Sequence, residues 1–268
     1  MSADTLTTWV LCWRIDRRDG VTIGLTGHDH DLWVDGLLYR ASPGLTPSAI
    51  VRGDGLDPDL MEASGALTSA AIGEGDLLAG RWDGARVAAF AVDWTGGDAP
   101  VPLGQGAIGA VQLGEGGFTA ELHGVGSLLD GPVAEETSPD CRAMLGDRRC
   151  RAPMAGRRRF ARVTAWDGEG VLTIDTAEPS TNAYGQGRLV WFGGANAGLA
   201  AVIARSEGNR LWLAAAPAFA VEGMPLIELV EGCDKRLETC LSRFGNVVNF
   251  RGEPFLPGID LLTRYPGA

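Results

Sequence analysis

Four of the five cysteines form two pairs whose thiols could bind a metal. Eight residues separate Cys141 from Cys150, and six separate Cys233 from Cys240. The amino-terminal residues show no signal peptide, and a chain that folds in a reducing cytosol keeps its thiols free. Two cysteine pairs in such a chain therefore favour metal or cluster ligation over disulfides.

Four thiolates from two distant segments could form a tetrahedral sulfur cage around zinc or an iron–sulfur cluster. Structural zinc sites usually have two to four residues between paired cysteines. The wider spacings seen here favour a four-iron cluster slightly, and zinc stays open as the alternative. A third interpretation is that these are ordinary buried cysteines, because free cysteine is among the most buried residue types.

The other candidate residues favour structural roles. Cys12 lies in the apolar stretch Trp9–Trp13 and is expected in the core. His28 and His30 would share one face of a strand, which permits metal binding, but a turn stabilised by side-chain-to-backbone bonds is favoured. No nucleophile elbow, phosphate loop, dinucleotide fingerprint or paired-carboxylate constellation is visible, so we expect no enzyme.

Composition narrows the class of protein. The chain has 268 residues, 45% of them hydrophobic, and a net charge of −11 with a pI near 4.7. This excludes a disordered chain and disfavours a dedicated nucleic-acid binder. No apolar run approaches the ~20 residues of a membrane span. An arginine-rich segment between Arg148 and Arg162 predicts a packing or partner role in preference to DNA readout.

Short alternating segments separated by turns every eight to twelve residues predict a mainly β fold of two or more barrel or sandwich domains. The strongest hairpin signal is the Asp35-Gly36 turn. We expect strands at Val21–Leu25, Leu32–Val34, Leu37–Tyr39, Arg86–Trp94, Phe118–Leu122, Arg162–Trp166, Val171–Asp175, Arg188–Phe192, Ala201–Arg205, Arg210–Ala214 and Leu226–Val230.

Helices are expected to be few and short. The candidates are Ala70–Leu78 with Ser69 as a cap, Val125–Leu129, and Asp234–Phe244 ended by Gly245. A loop-rich stretch near Pro153–Gly156 predicts two domains, residues 1–155 and 156–268.

Several of these segments resemble a protein family encoded in tail operons of phages and gene transfer agents of alphaproteobacterial type. The resemblance runs nearly from end to end, and the closing segment is its most specific part. The segments that carry it are Gly27–Asp29, Leu60–Leu67, Asp76–Ala85, Cys141–Cys150, Gly232–Cys240, Phe244–Asn246, Asn249–Pro254 and Pro257–Asp260.

The resemblance implies a structural hub with β-barrel domains at the tail tip of a virion-like particle, assembled in the bacterial cytoplasm. It implies a homotrimeric ring between the distal tail protein and the large central fibre or baseplate protein, with a peptidase as a further neighbour below. DNA would pass through the ring without sequence-specific binding, and no stable membrane insertion is expected. The same resemblance implies a [4Fe-4S] cluster bound by Cys141, Cys150, Cys233 and Cys240. The less favoured alternatives are a zinc-stabilised module and a redox or cell-wall-active enzyme.

Overall fold

The computed structural model describes residues 8–41, 46–47, 60–66, 72–114, 117–124 and 135–255. The chain divides into two compact units, residues 1–132 and 133–268. The mainly β class is confirmed in both. In the described ranges, no helix is long and apolar enough to cross a membrane.

The described part of the first unit forms one nine-stranded sheet and one short helix. Its elements are β1 (Trp9–Asp16), β2 (Thr22–Thr26), β3 (Leu32–Val34), β4 (Leu37–Ala41), β5 (Thr46–Pro47), β6 (Leu60–Ala66), α1 (Glu74–Leu78), β7 (Arg86–Asp93), β8 (Val101–Gly114) and β9 (Gly117–His123). The strand order is β3-β4-β2-β1-β7-β8-β9-β6-β5. The buried core includes Trp13, Leu25, Trp82 and Leu122.

The predicted Asp35-Gly36 hairpin is confirmed. Both residues have positive φ, 49° and 78°, as a type I′ turn requires, and β3 pairs with β4 across it. Cys12 is also where the sequence predicted it, because it is fully buried on β1.

Strand β8 was not predicted, because its glycines and Pro102 are unusual in a strand. These glycines allow close approach to β9. A Cβ on Gly106 would lie 2.8 Å from the carbonyl oxygen of His123, and one on Gly109 would lie 2.2 Å from the His123 ring. Close packing in this strand therefore requires glycine, which is a residue of low strand propensity.

The second unit contains a closed barrel followed by two short helices. Its elements are β10 (Arg158–Trp166), β11 (Val171–Ile174), β12 (Gly187–Trp191), β13 (Ala200–Glu207), β14 (Arg210–Leu213), β15 (Leu226–Val230), α2 (Leu237–Ser242) and a 3-10 helix (Val247–Asn249). The barrel order is β10-β11-β14-β13-β12-β15. Each predicted strand of this unit is present within a few residues, and the interior is filled by aliphatic side chains such as Leu172, Ile203 and Leu229.

The helices are shorter than predicted. The first spans only Glu74–Leu78, while Ser69 and Val125–Leu129 lie outside the described residues. The third begins at Leu237 instead of Asp234, because the Asp234 carboxylate accepts hydrogen bonds from Arg236 N at 3.1 Å and Thr239 Oγ1 at 2.7 Å. Gly245 ends this segment with φ 57°, as expected.

The division between the units differs from the predicted one at 155/156. It lies at 132/133, so Cys141 and Cys150 belong to the same unit as Cys233 and Cys240. The physical reason is long-range pairing, in which Glu253 N donates to Ser138 O at 2.7 Å and Arg142 N donates to Arg251 O at 3.0 Å. Local composition carries no sign of such contacts.

Candidate metal centre

The four predicted cysteines line one cavity of the second unit. Cys141 and Cys150 lie in the irregular segment before the barrel, Cys233 follows β15, and Cys240 lies in α2. Apolar walls, which include Leu145, Phe244 and Phe250, complete the cavity. The fold thus brings together two cysteine pairs that are more than 80 residues apart in sequence.

Each of the four sulfurs accepts a hydrogen bond from a nitrogen. Arg251 N donates to Cys141 Sγ at 3.3 Å, and Asn246 Nδ2 lies 3.5 Å from Cys150 Sγ. The backbone N–H of Lys235 donates to the Cys233 sulfur, and that of Asn246 to the Cys240 sulfur. Such donors stabilise thiolates, and they surround the sulfurs of bound metal centres.

Burial opposes ionisation of two of these thiols. Desolvation raises the pKa of Cys233, and the Lys235 N–H and ammonium group offset part of that increase. Desolvation also raises the pKa of Cys240, as do the nearby sulfurs of Cys233, Cys141 and Cys150. Four neighbouring thiolates repel one another, so they would all ionise only with a cation among them.

Asp147 shapes the first cysteine segment. Its carboxylate accepts backbone N–H bonds from Cys150 at 2.6 Å, Arg149 at 2.8 Å and Met144 at 2.9 Å. Desolvation alone would raise the pKa of Asp147, but these bonds outweigh it and the pKa is lowered. The ionised side chain therefore stabilises the loop that carries Cys150.

A bidentate ion pair joins this segment to the end of the described chain. Arg142 Nη1 and Nη2 donate to the two Glu253 carboxylate oxygens at 2.6 and 2.8 Å. Nearby, Cys141 N donates to Lys235 O at 2.9 Å, and Lys235 Nζ donates to Ala143 O at 2.5 Å. The two cysteine segments are therefore connected by hydrogen bonds as well as by the cavity.

A buried carboxylate connects the site to the barrel. Glu231, only 8% exposed, accepts from Arg157 Nη1 and from Arg243 Nη2, each at 2.7 Å. Both guanidinium groups also lie over the Phe244 ring, 4.7 and 5.0 Å from its centroid. Because Arg243 follows α2 directly, this triad positions the helix that carries Cys240.

The other candidate residues do not line this cavity. His28 Nδ1 accepts from His30 N at 3.0 Å, which is the side-chain-to-backbone turn predicted for this string. In the arginine-rich segment, Arg157 packs as described and Arg149 pairs with Glu135, in line with a packing role.

As the side chains stand, no group of three or more His, Cys, Asp or Glu among the described residues is arranged to hold a metal ion. The donor set nevertheless fits a thiolate-bound centre, because it contains four sulfurs, four N–H donors and apolar walls.

Sequence reasoning missed the residues that serve the sulfurs. Asn246 donates from its side-chain amide to Cys150 and from its backbone N–H to Cys240. Arg251 donates only from its backbone N–H. Asn246 belongs to the Phe244–Asn246 motif, which was the available signal, whereas a backbone donor leaves no mark in a residue type.

Comparison with known proteins agrees with this architecture. The family described as "Baseplate hub protein, N-terminal attachment domain" matches residues 1–153, and "Phage conserved hypothetical protein BR0599" matches residues 182–260. No curated protein matches. A solved chain from "Virion of native gene transfer agent (GTA) particle" is 36% identical, with a TM-score of 0.84 over 98% of this chain and 93% of that one. This chain therefore belongs to the family of baseplate hub proteins that carry the N-terminal attachment domain.

Proposed function

We propose that the protein is a structural hub at the tail tip of a phage-like particle of the gene transfer agent type. It would form a homotrimeric ring between the distal tail protein and the large central fibre or baseplate protein, with a peptidase as a further neighbour. The observation that carries this proposal is the 36% identity over 98% of the chain to a component of a gene transfer agent virion. The role is structural and non-enzymatic, and assembly takes place in the bacterial cytoplasm.

The ring would surround the path of DNA. Residues 1–132 contain 18 acidic and 7 basic residues, whereas residues 133–268 contain 16 of each. The first unit therefore carries the whole net charge of −11. An acidic surface repels phosphates, which lets DNA pass without sticking.

We further propose that Cys141, Cys150, Cys233 and Cys240 bind a [4Fe-4S] cluster. Its support is an all-sulfur donor set in which every sulfur accepts an N–H bond. The cluster would supply folding free energy by connecting segments that are distant in sequence. Zinc is the alternative, because four thiolates are also the donor set of a structural zinc site.

Anaerobic purification separates the two groups. We expect a brown protein with broad absorbance near 400 nm and matching amounts of iron and acid-labile sulfide. A colourless protein that contains one zinc ion per chain would establish the alternative. A protein that contains neither would leave four ordinary buried cysteines.

Deletion of the gene in its producer strain tests the hub role. We expect particles without a complete tail tip, and complementation with the intact gene should restore complete tails. Labelled antibody should mark the tail tip of wild-type particles in electron micrographs. Complete, infective tails in the deletion strain would refute the proposal, whatever group the cysteines bind.

A further inference from the structure

The outer face of the barrel carries an exposed aromatic patch. Phe160 on β10 and Phe192 directly after β12 are 60% and 55% exposed, and their rings form an edge-to-face pair with centroids 5.6 Å apart. Strand β15 separates the two strands in the barrel order. Half-buried Leu226 and Val190 lie on the same outward face, next to exposed Val202 on β13. An outer barrel face is ordinarily polar, so a cluster of exposed apolar side chains there indicates an interface.

Arginines surround this patch. In the strand registers, Arg158 and Arg188 both align with Val230, and Arg162 aligns with Leu226. Glu228 is the acidic residue between them, and its carboxylate lies 3.7 Å from Arg158. Exposed Asp175, which accepts from Arg162 N at 2.9 Å, is a second carboxylate at the edge of the patch. Three arginines against two carboxylates leave the patch positive, and aromatic residues with arginine are the composition enriched in protein interfaces.

The first unit presents a feature of opposite charge. Trp33 is 74% exposed in the middle of β3, which is an edge strand of the described sheet. Asp31 and Asp35 lie on either side of it, and both are exposed. An exposed tryptophan between two carboxylates is complementary to an exposed phenylalanine pair among arginines.

We propose that the Trp33 hairpin (Asp31–Asp35) of one copy docks on the Phe160–Phe192 patch of a second copy. The inference deepens the homotrimer of the proposed function and rests on it. Two different surfaces then meet, so the contact is heterologous and can close into a ring. Local charge complementarity supports a second copy as the occupant, because the hairpin carries two exposed carboxylates and the patch is surrounded by three arginines.

Sedimentation velocity on the complete chain tests this contact, with Phe160→Ala and Arg162→Glu/Arg188→Glu as the barrel variants. We expect each to raise the dissociation constant of self-association at least about tenfold, as for central interface residues. Arg210→Glu is the matched control, because Arg210 is an exposed barrel arginine that lies over Trp212. The control should leave self-association unchanged, and circular dichroism verifies folding of all variants.

The hairpin variants are Trp33→Ser and Asp35→Asn. Asparagine is chosen because, like aspartate, it tolerates the positive φ of position 35. Each of these variants should weaken self-association. Trp33→Ser should then be combined with the two arginine reversals. The combined variant should weaken self-association no more than about threefold beyond the reversals alone, since both changes remove the same contact.

Three results would overturn the proposal. The first is a wild-type chain that stays monomeric at about 100 µM, a concentration well above the micromolar range of specific contacts. The second is self-association that none of these variants changes. The third is a patch whose reversal abolishes binding of DNA or of another tail protein and leaves self-association intact. In the second case the ring and the hub role survive and only this interface is discarded.

Discussion

Arg142 and Glu253 form a bidentate ion pair across 111 residues of sequence, directly beside Cys141. The pair lowers the pKa of Glu253 to about 2, and the Ser138 N–H, which donates at 2.9 Å, contributes to the shift. The closing segment is therefore held to the cysteine site by a carboxylate that stays ionised well below the usual pKa of glutamate.

Glu253 should make the second unit sensitive to acid. A lowered carboxyl pKa contributes stability that is complete above the usual value near 4.5 and is lost as the pH falls toward about 2. We expect Glu253→Gln to lower the melting temperature at pH 7. The difference from wild type should shrink below pH 4 in thermal scans. Equal melting temperatures at pH 7 would contradict a stabilising role for the pair.

Replacement of single cysteines should distinguish ligands from core residues. If the four cysteines bind the proposed cluster, Cys141→Ser, Cys150→Ser, Cys233→Ser and Cys240→Ser should each lose most of the iron and the absorbance near 400 nm. Structural metal ligation contributes on the order of 10 kcal/mol to folding, so the second unit should also unfold at lower denaturant concentration. Cys12→Ala is the control, because Cys12 is buried on β1 and should leave the iron content unchanged.

Asn246 should control how long the proposed cluster survives. Its side chain donates to Cys150 O at 2.6 Å and lies 3.5 Å from Cys150 Sγ. Asn246→Asp places a carboxylate beside the sulfurs and should speed loss of absorbance in air or chelator more than Asn246→Ala does. A hydrogen bond to a charged group contributes about 1.5–3 kcal/mol. Asn209→Ala removes only a long 3.4 Å bond in the barrel and should decay at the wild-type rate.

Glu231 should contribute far more to the free energy of unfolding than an exposed glutamate that pairs with an arginine. Glu231→Gln leaves the guanidinium groups of Arg157 and Arg243 without their shared carboxylate. Breaking a buried pair typically costs about 3–5 kcal/mol. Glu207→Gln removes the partner of Arg205 at an exposed pair, where about 0–1 kcal/mol is expected. Urea unfolding of both variants measures the contrast, and similar losses would show that the triad is dispensable.

Gly232→Ala should disrupt the second unit. A Cβ at Gly232 would lie 1.9 Å from Gly185 O and 2.3 Å from Gly187 N, and both are backbone atoms that cannot turn aside. We expect poor expression or a molten second unit by near-ultraviolet circular dichroism. Gly73→Ala is the control, because a Cβ there meets nothing within 4 Å. A well-folded Gly232→Ala protein would mean that the two backbone segments separate easily.

Local patterns predicted most of the strands of the barrel and singled out the four cysteines that line one cavity. The strands from Arg158 to Val230 alternate regularly, and Gly245 marks a helix end by its residue type alone. Strand β8 could not be predicted, because its glycines are explained by contact with His123 and not by strand propensity. The division at 132/133 likewise depends on pairings such as Arg142 with Glu253, which no local window contains.

The chain has a single lysine, and Lys235 lies between Cys233 and Cys240 with its ammonium group on Ala143 O. A lysine-specific protease therefore has one bond to cut in this chain, the Lys235–Arg236 peptide bond. This bond lies between the two cysteines of the second pair in the sequence. When opening and closing are fast relative to cleavage, the rate of this single cleavage follows the fraction of molecules in which the site is open. Two fragments of about 24 and 4 kDa would report each opening, without any label or substitution.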